Sequence, residues 1–141
     1  MPKSLASLTL IAALGLTIVI CSVAARNAAT AAASPPAQAG QKIYDANCSA
    51  CHGTDGAGRP GAFPPLAGNA MVTGSPEKVI AVVKDGLTGP TTVNGKAYSA
   101  SMPAWKASLS DNQIAAVITY IRSSWGNNAG AVTEAQVRGV K

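Results

Sequence analysis

The sequence predicts an all-α domain behind an apolar N-terminal segment. Three observations carry this: helical periodicity and capping residues in three stretches, Gly- and Pro-rich connections between them, and a first third unlike the remainder in composition. No convincing strand and no internal repeat stands out. The 141 residues suffice for one small domain with appendages.

Met1 to Lys3 gives a short positive start, and Leu5 to Ala25 then runs without a charge, LASLTLIAALGLTIVICSVAA. This is an export signal. It is longer than the 7–15-residue core of a typical signal peptide and close to the ~20 residues that span a bilayer. The expectation for residues 1–33 is therefore a signal peptide or an N-terminal membrane anchor, with a linker. Val23-Ala24-Ala25 and Ala31-Ala32-Ala33 both offer small-x-small cleavage sites, whereas the length of residues 5–25 favours anchoring. Cys21 reads as one more apolar residue of this leader, since Ile20 before it is bulkier than lipid processing normally accepts. The Ala/Ser/Pro-rich run NAATAAASPPAQA, from Asn27 to Ala39, contains no charge and reads as linker. The domain itself is expected over 34–126, with a C-terminal extension over 127–141.

Within the domain, a first helix is predicted from about Pro36 to Asn47, with Gly40, Ile43 and Tyr44 on one face. A second is bounded by Ser75 as N-cap, Pro76 at the first helical position and Gly86 at the exit. The third starts at Ser110, with Asp111 in its first turn, and Ile114, Val117, Ile118 and Ile121 follow the 3.6-residue period. A short last helix is signalled by the capping-box spacing of Thr133 and Gln136, with little apolar surface.

Between the first two helices lies Cys48-Ser49-Ala50-Cys51-His52, the spacing of covalent haem attachment. Each thiol can add to one vinyl group of a porphyrin, and the histidine that follows then lies beneath the iron. A structural zinc site is poorly supported, because His52 is the only histidine and the only other cysteine is Cys21 in the leader. A thioredoxin-like site would need a strand-helix-strand setting, which the helix before Cys48 and the Gly/Pro loop after it do not supply. A plain disulfide is the bland alternative.

A second axial ligand is sought among three methionines. Met1 is the initiator, Met71 leads into the loop before the second helix, and Met102 sits in Tyr98-Ser-Ala-Ser-Met-Pro-Ala-Trp105 ahead of the third. Met102 is the better candidate: its loop is punctuated by Gly86, Gly89 and Gly95 and stiffened by Pro103, and a thioether suits reduced iron. The competing role is that of a flexible filler of a core gap.

From about Ala37 to Trp125 the chain resembles the bacterial class I (monohaem) cytochromes c, in its attachment motif Cys48, Cys51 and His52, in Met102-Pro103, and in Gly40, Tyr44 and Tyr120 at the contact of terminal helices. The resemblance implies a cytochrome c-like haem-wrapping domain with one haem c, and His52 and Met102 as metal ligands. It also implies that a proline carbonyl in Phe63-Pro64-Pro65-Leu66, best matched by Pro64, accepts a hydrogen bond from the proximal imidazole. Tyr98 and Trp105 are candidates for packing near the haem edge, or ordinary core aromatics. The Ser124-Trp125-Gly126-Asn127 segment with its polar helix is similar to cytochrome subunits of dehydrogenase or oxidase complexes.

From Ser34 onward nine basic residues face six acidic ones, a net charge of about +3, and the positive residues are dispersed. Nucleic acid is therefore not expected as a partner; a modest attraction to an acidic patch on a redox protein and an ordinary solvated mixed surface both fit. The expected function is single-electron transfer between respiratory-chain or dehydrogenase and oxidase partners, in the periplasm, soluble after cleavage or tethered to the inner membrane. Rival readings are a fixed subunit of a membrane redox complex and a haem-based sensor; enzymatic catalysis is not expected, because no acid/base constellation accompanies the motif. With few aromatics, 4% of the chain, the domain should fold poorly without its prosthetic group.

Overall fold

The computed structural model describes residues 35–141, so the apolar leader and its cleavage or anchoring lie outside the described residues. Six helices and one hairpin follow in order: α1 (Pro35–Asn47), α2 (Ser49–His52), α3 (Ala70–Thr73), α4 (Pro76–Asp85), β1 (Thr91–Val93), β2 (Lys96–Tyr98), α5 (Asp111–Ser123) and α6 (Glu134–Gly139). No helix among the described residues is long and apolar enough to cross a membrane.

The most extensive contact joins α1 to α5. Its cause is Gly40. A Cβ there would stand 2.7 Å from the carbonyl carbon of Ala116 and 2.9 Å from Cβ of Tyr120, closer than real Cβ atoms approach. With hydrogen in that place the backbones touch, and fully buried Tyr44 packs against Tyr120 at 5.5 Å and Trp125 at 5.0 Å between ring centroids. The periodic residues Ile114, Val117, Ile118 and Ile121 all enter the core with Val79, Ile80 and Val83 of α4.

Helix ends follow their local chemistry. Ser110 and Gln113 close a full capping box on α5, and Thr133 and Gln136 repeat it on α6. The α6 segment packs more deeply than its sequence suggests. Val137 is fully buried, Val132 is buried, and Lys84 of α4 donates to the carbonyls of Val137 (3.0 Å) and Val140 at the end of α6. Two isolated valines were too few to register as an apolar stripe, yet each fills a place in the core.

The hairpin is the second departure, since no strand was expected. Thr91 pairs with Tyr98, and Val93 with Lys96, across a turn in which Asn94 (φ 50°) and Gly95 (φ 75°) both adopt left-handed conformations. This is the Asn-Gly two-residue turn, whose twist matches paired strands, flanked by β-favouring Thr, Val and Tyr. The three-residue strands are too short for alternation to show.

Candidate haem site

The cysteine motif leaves α1 and folds at once into the single turn of α2. Cys48 N bonds to Tyr44 O at 2.8 Å, and the Cys48 carbonyl accepts from Cys51 N (3.1 Å) and His52 N (3.0 Å). Both thiols are free and half-buried. Burial, with a smaller contribution from Cys51, pushes the Cys48 thiol up to about 11.

His52 is 8% exposed. Its Nδ1 lies 3.0 Å from the carbonyl oxygen of Pro64. A carbonyl can only accept, so Nδ1 carries the proton and Nε2 keeps its lone pair. Burial lowers the pKa of the ring while the Pro64 bond opposes that shift, and the net result is a ring held neutral. Phe63 stands edge-on to the imidazole, with centroids 6.5 Å apart.

The loop that delivers Pro64 is folded on itself by Gly58 N to His52 O at 2.8 Å and by paired bonds between Arg59 and Phe63. Gly58 is needed there: a Cβ would meet the Phe63 carbonyl oxygen at 2.5 Å and that of Pro64 at 2.6 Å. Farther along, Asn69, 2% exposed, caps α3 by accepting from Met71 N and donates to Pro65 O, both at 2.9 Å.

Met102 is held by its backbone. It exchanges two hydrogen bonds with Leu87 (2.8 and 3.0 Å), and Trp105 N donates to Val83 O at 3.1 Å, so its loop is fastened to the end of α4. Gly86 makes room, since a Cβ there would lie 2.5 Å from the Met102 carbonyl oxygen.

These segments enclose one apolar cavity. Its wall includes Cys48, Cys51, Pro64, Met102 and Trp105, and the space within, open mouth included, is about 800 Å³. Two thiols at the attachment spacing, a neutral and oriented imidazole next to them and a thioether in the wall form a donor set that fits a haem. The sequence-predicted residues are thus brought together, with His52 reaching the wall through Pro64. Tyr98 is buried at the end of β2.

Met71, the methionine set second to Met102, lines the same cavity. Asn69 and Val72, which the sequence reading did not single out, line it from α3. A helix of four residues leaves no periodicity to read; the only signal was Asn69 as a helix-capping residue.

Comparison with known proteins agrees with the geometry. Residues 35–121 match the family model described as cytochrome c oxidase, cbb3-type, subunit III. The chain belongs to this family of class I cytochromes c. Cytochrome c-552 of Thermus thermophilus is 44% identical over 92 residues, 62% of this chain and 69% of that protein. Cytochrome c6 of Leptolyngbya boryana is 39% identical over 85 residues, 60% of this chain and 88% of its own. The cytochrome c subunit of a quinone alcohol dehydrogenase from Gluconobacter oxydans (strain 621H) is 41% identical over 102 residues, 71% of this chain. The chain spans only about a fifth of that subunit, 21%. A cytochrome c carries covalently bound haem c, and the single Cys-x-x-Cys-His of this one provides for one haem.

Proposed function

We propose that this cytochrome c carries single electrons on one haem c, held by thioether bonds to Cys48 and Cys51 and ligated by His52 and Met102. The observation that carries the reading is the His52 imidazole, kept neutral and fixed through Nδ1 by the Pro64 carbonyl beside a wall that holds both thiols and the Met102 side chain. When bound, the haem supplies an iron centre that gains and loses one electron. The chain does the rest. The Pro64 carbonyl sets the tautomer of His52 and increases the basicity of Nε2 toward a metal. The Met102 thioether, fastened at its backbone by Leu87, favours the reduced state, and the apolar wall excludes water and raises the potential further. With His52 and Met102 both engaged, no coordination position is left for oxygen or peroxide, which favours electron transfer over ligand sensing.

Replacing Met102 by Ala tests the assignment. The haem should stay attached while the ferric spectrum changes, the potential falls, and the reduced protein binds carbon monoxide rapidly. An unchanged ferric spectrum would transfer the ligand role elsewhere, Met71 first. In Cys48→Ser/Cys51→Ser, haem that still resists acid extraction would contradict thioether attachment.

Residues 1–33 are read as leader or anchor, 34–126 as the haem domain and 127–141 as an extension that closes over α4 and α5. The uncharged stretch 5–25 supports a periplasmic location, soluble after cleavage or tethered to the inner membrane. The names of relatives, cytochrome subunits of alcohol, gluconate and fructose dehydrogenases, support a dehydrogenase as electron donor and leave a place for a fixed subunit. Visible spectra of membrane and soluble fractions, read with intact mass and with any co-purifying dehydrogenase, separate these arrangements.

A further inference from the structure

Arg122 stands in the last turn of α5, where a basic side chain is expected to reach solvent and complement the helix dipole. Instead it is 5% exposed. Its guanidinium spends its hydrogen bonds on backbone carbonyls: Nε donates to Gly130 O at 2.8 Å, and Nη1 to Val72 O at 2.6 Å and Gly74 O at 2.9 Å. The ion pairs among the described residues are Lys106–Asp85, Arg138–Asp111 and Arg138–Glu134, and Arg122 enters none of them. The acid whose pKa it lowers, Glu77, is at the surface and bonded to Ser75, and Arg122 is the smallest of the causes acting on it. A permanent positive charge therefore lies inside the domain without a buried counterion.

Its position gives that charge a target. Val72, whose carbonyl takes the shortest of the three bonds, is 1% exposed and belongs to the wall of the haem cavity, as does Met71 before it. The guanidinium thus sits one residue behind the wall, in a medium where charges are weakly screened. A neutral side-chain amide would offer only two N–H donors to these three carbonyls; the guanidinium serves all three, and as a cation it also projects a field.

We infer that Arg122 is a positioning and tuning residue of the redox centre: it clamps the Val72–Gly74 corner of the cavity to α5, and its unneutralised charge raises the reduction potential of the haem. A positive charge near the cavity disfavours the more positive ferric state relative to the ferrous one, so the equilibrium moves toward reduction. This rests on the haem being held in that cavity as proposed above.

The test is a potentiometric titration of the parent holoprotein and of two Arg122 variants, after acid-resistant haem and an unaltered ferric spectrum have been checked in each. Haem missing from the parent would defeat the haem assignment and is thereby distinguished from failure of the present inference. Arg122→Gln keeps two N–H donors and removes the charge; its potential should fall below that of the parent, and Arg122→Lys, with three donors and the charge, should restore most of the difference. Equal potentials in parent and Gln variant, or an equal fall in the Gln and Lys variants, would overturn the tuning role. Where Arg122→Gln does not fold, Gly130→Asp takes its place with Arg122 intact, since a Cβ at Gly130 meets nothing within 4 Å. Its carboxylate, next to the carbonyl that binds Nε, should lower the potential relative to Gly130→Asn, and identical potentials in those two would overturn the inference equally.

Discussion

Where α1 crosses α5, the chain removes a side chain so that two helix backbones touch and aromatic rings fill what is left; around the cavity, loops fastened to their neighbours leave apolar side chains facing a space. In the first region Gly40 lies against Ala116, and Tyr44, Tyr120 and Trp125 fill the remaining volume with ring-to-ring contacts of 5.0–5.5 Å. In the second, loops from Gly53 to Ala70 and from Gly86 to Leu109 are fastened by backbone bonds such as Met102 to Leu87 and by buried amides, and their side chains face a shared apolar cavity. The difference teaches that protein packing alone completes the helix crossing, whereas the loop side is built to be completed by a prosthetic group.

The comparison is broken most severely at Gly40. Gly40→Leu drives a side chain into the Ala116 backbone, and because the backbone cannot repack as a side chain would, the loss should reach or exceed about 3 kcal/mol. Denaturant unfolding should show it, together with a collapse in the yield of haem-loaded protein.

Asn127 probes the join between the two regions. It is 6% exposed; its amide donates to Leu66 O (3.0 Å) on the cavity loop and Ile121 O (2.8 Å) on α5, and its oxygen accepts from Gly68 N (2.9 Å). Asn127→Ala leaves buried groups unpaired on both sides and should cost about 2–3 kcal/mol. Thermal unfolding would measure it. A loss below ~0.5 kcal/mol would mean that the loop side is not anchored through α5 here.

The smallest effect is expected from Gly95→Ala in the hairpin. The left-handed backbone at φ 75° disfavours a Cβ by about 1 kcal/mol, although nothing stands within 4 Å of it. Val93 lines the cavity, so hydrogen exchange should quicken at the hairpin while α1 and α5 keep their protection. Faster exchange at the helix crossing would show that the two regions are not separable.

The same contrast governs what can be read from sequence. The helix crossing is legible because Gly40 and Tyr44 recur on one face and Ile114, Val117, Ile118 and Ile121 keep the helical period. Cys48, Cys51 and His52 are legible because covalent attachment requires neighbours in the chain. The cavity wall is not, because Asn69, Met71 and Val72 come from a helix of one turn, and the β1–β2 strands are too brief to alternate. The Asn94-Gly95 pair was the overlooked signal for the hairpin. Arg122 shows a further limit: its neighbours in the chain place it at a helix end, and only the segments folded over that end, 72–74 and 130, bury it.

The two tryptophans divide along the same line, and this gives the protein a built-in optical gauge. Trp105 forms part of the cavity wall; Trp125 lies in the aromatic trio, with Nε1 bonded to Thr54 O at 3.1 Å, two residues beyond His52. A porphyrin in the cavity absorbs where indoles emit, so the folded, loaded protein should be nearly dark under ultraviolet excitation. Substituting one tryptophan by Phe leaves a single indole, in the other region, and the order in which light returns in the two variants during unfolding reports which half of the domain opens first.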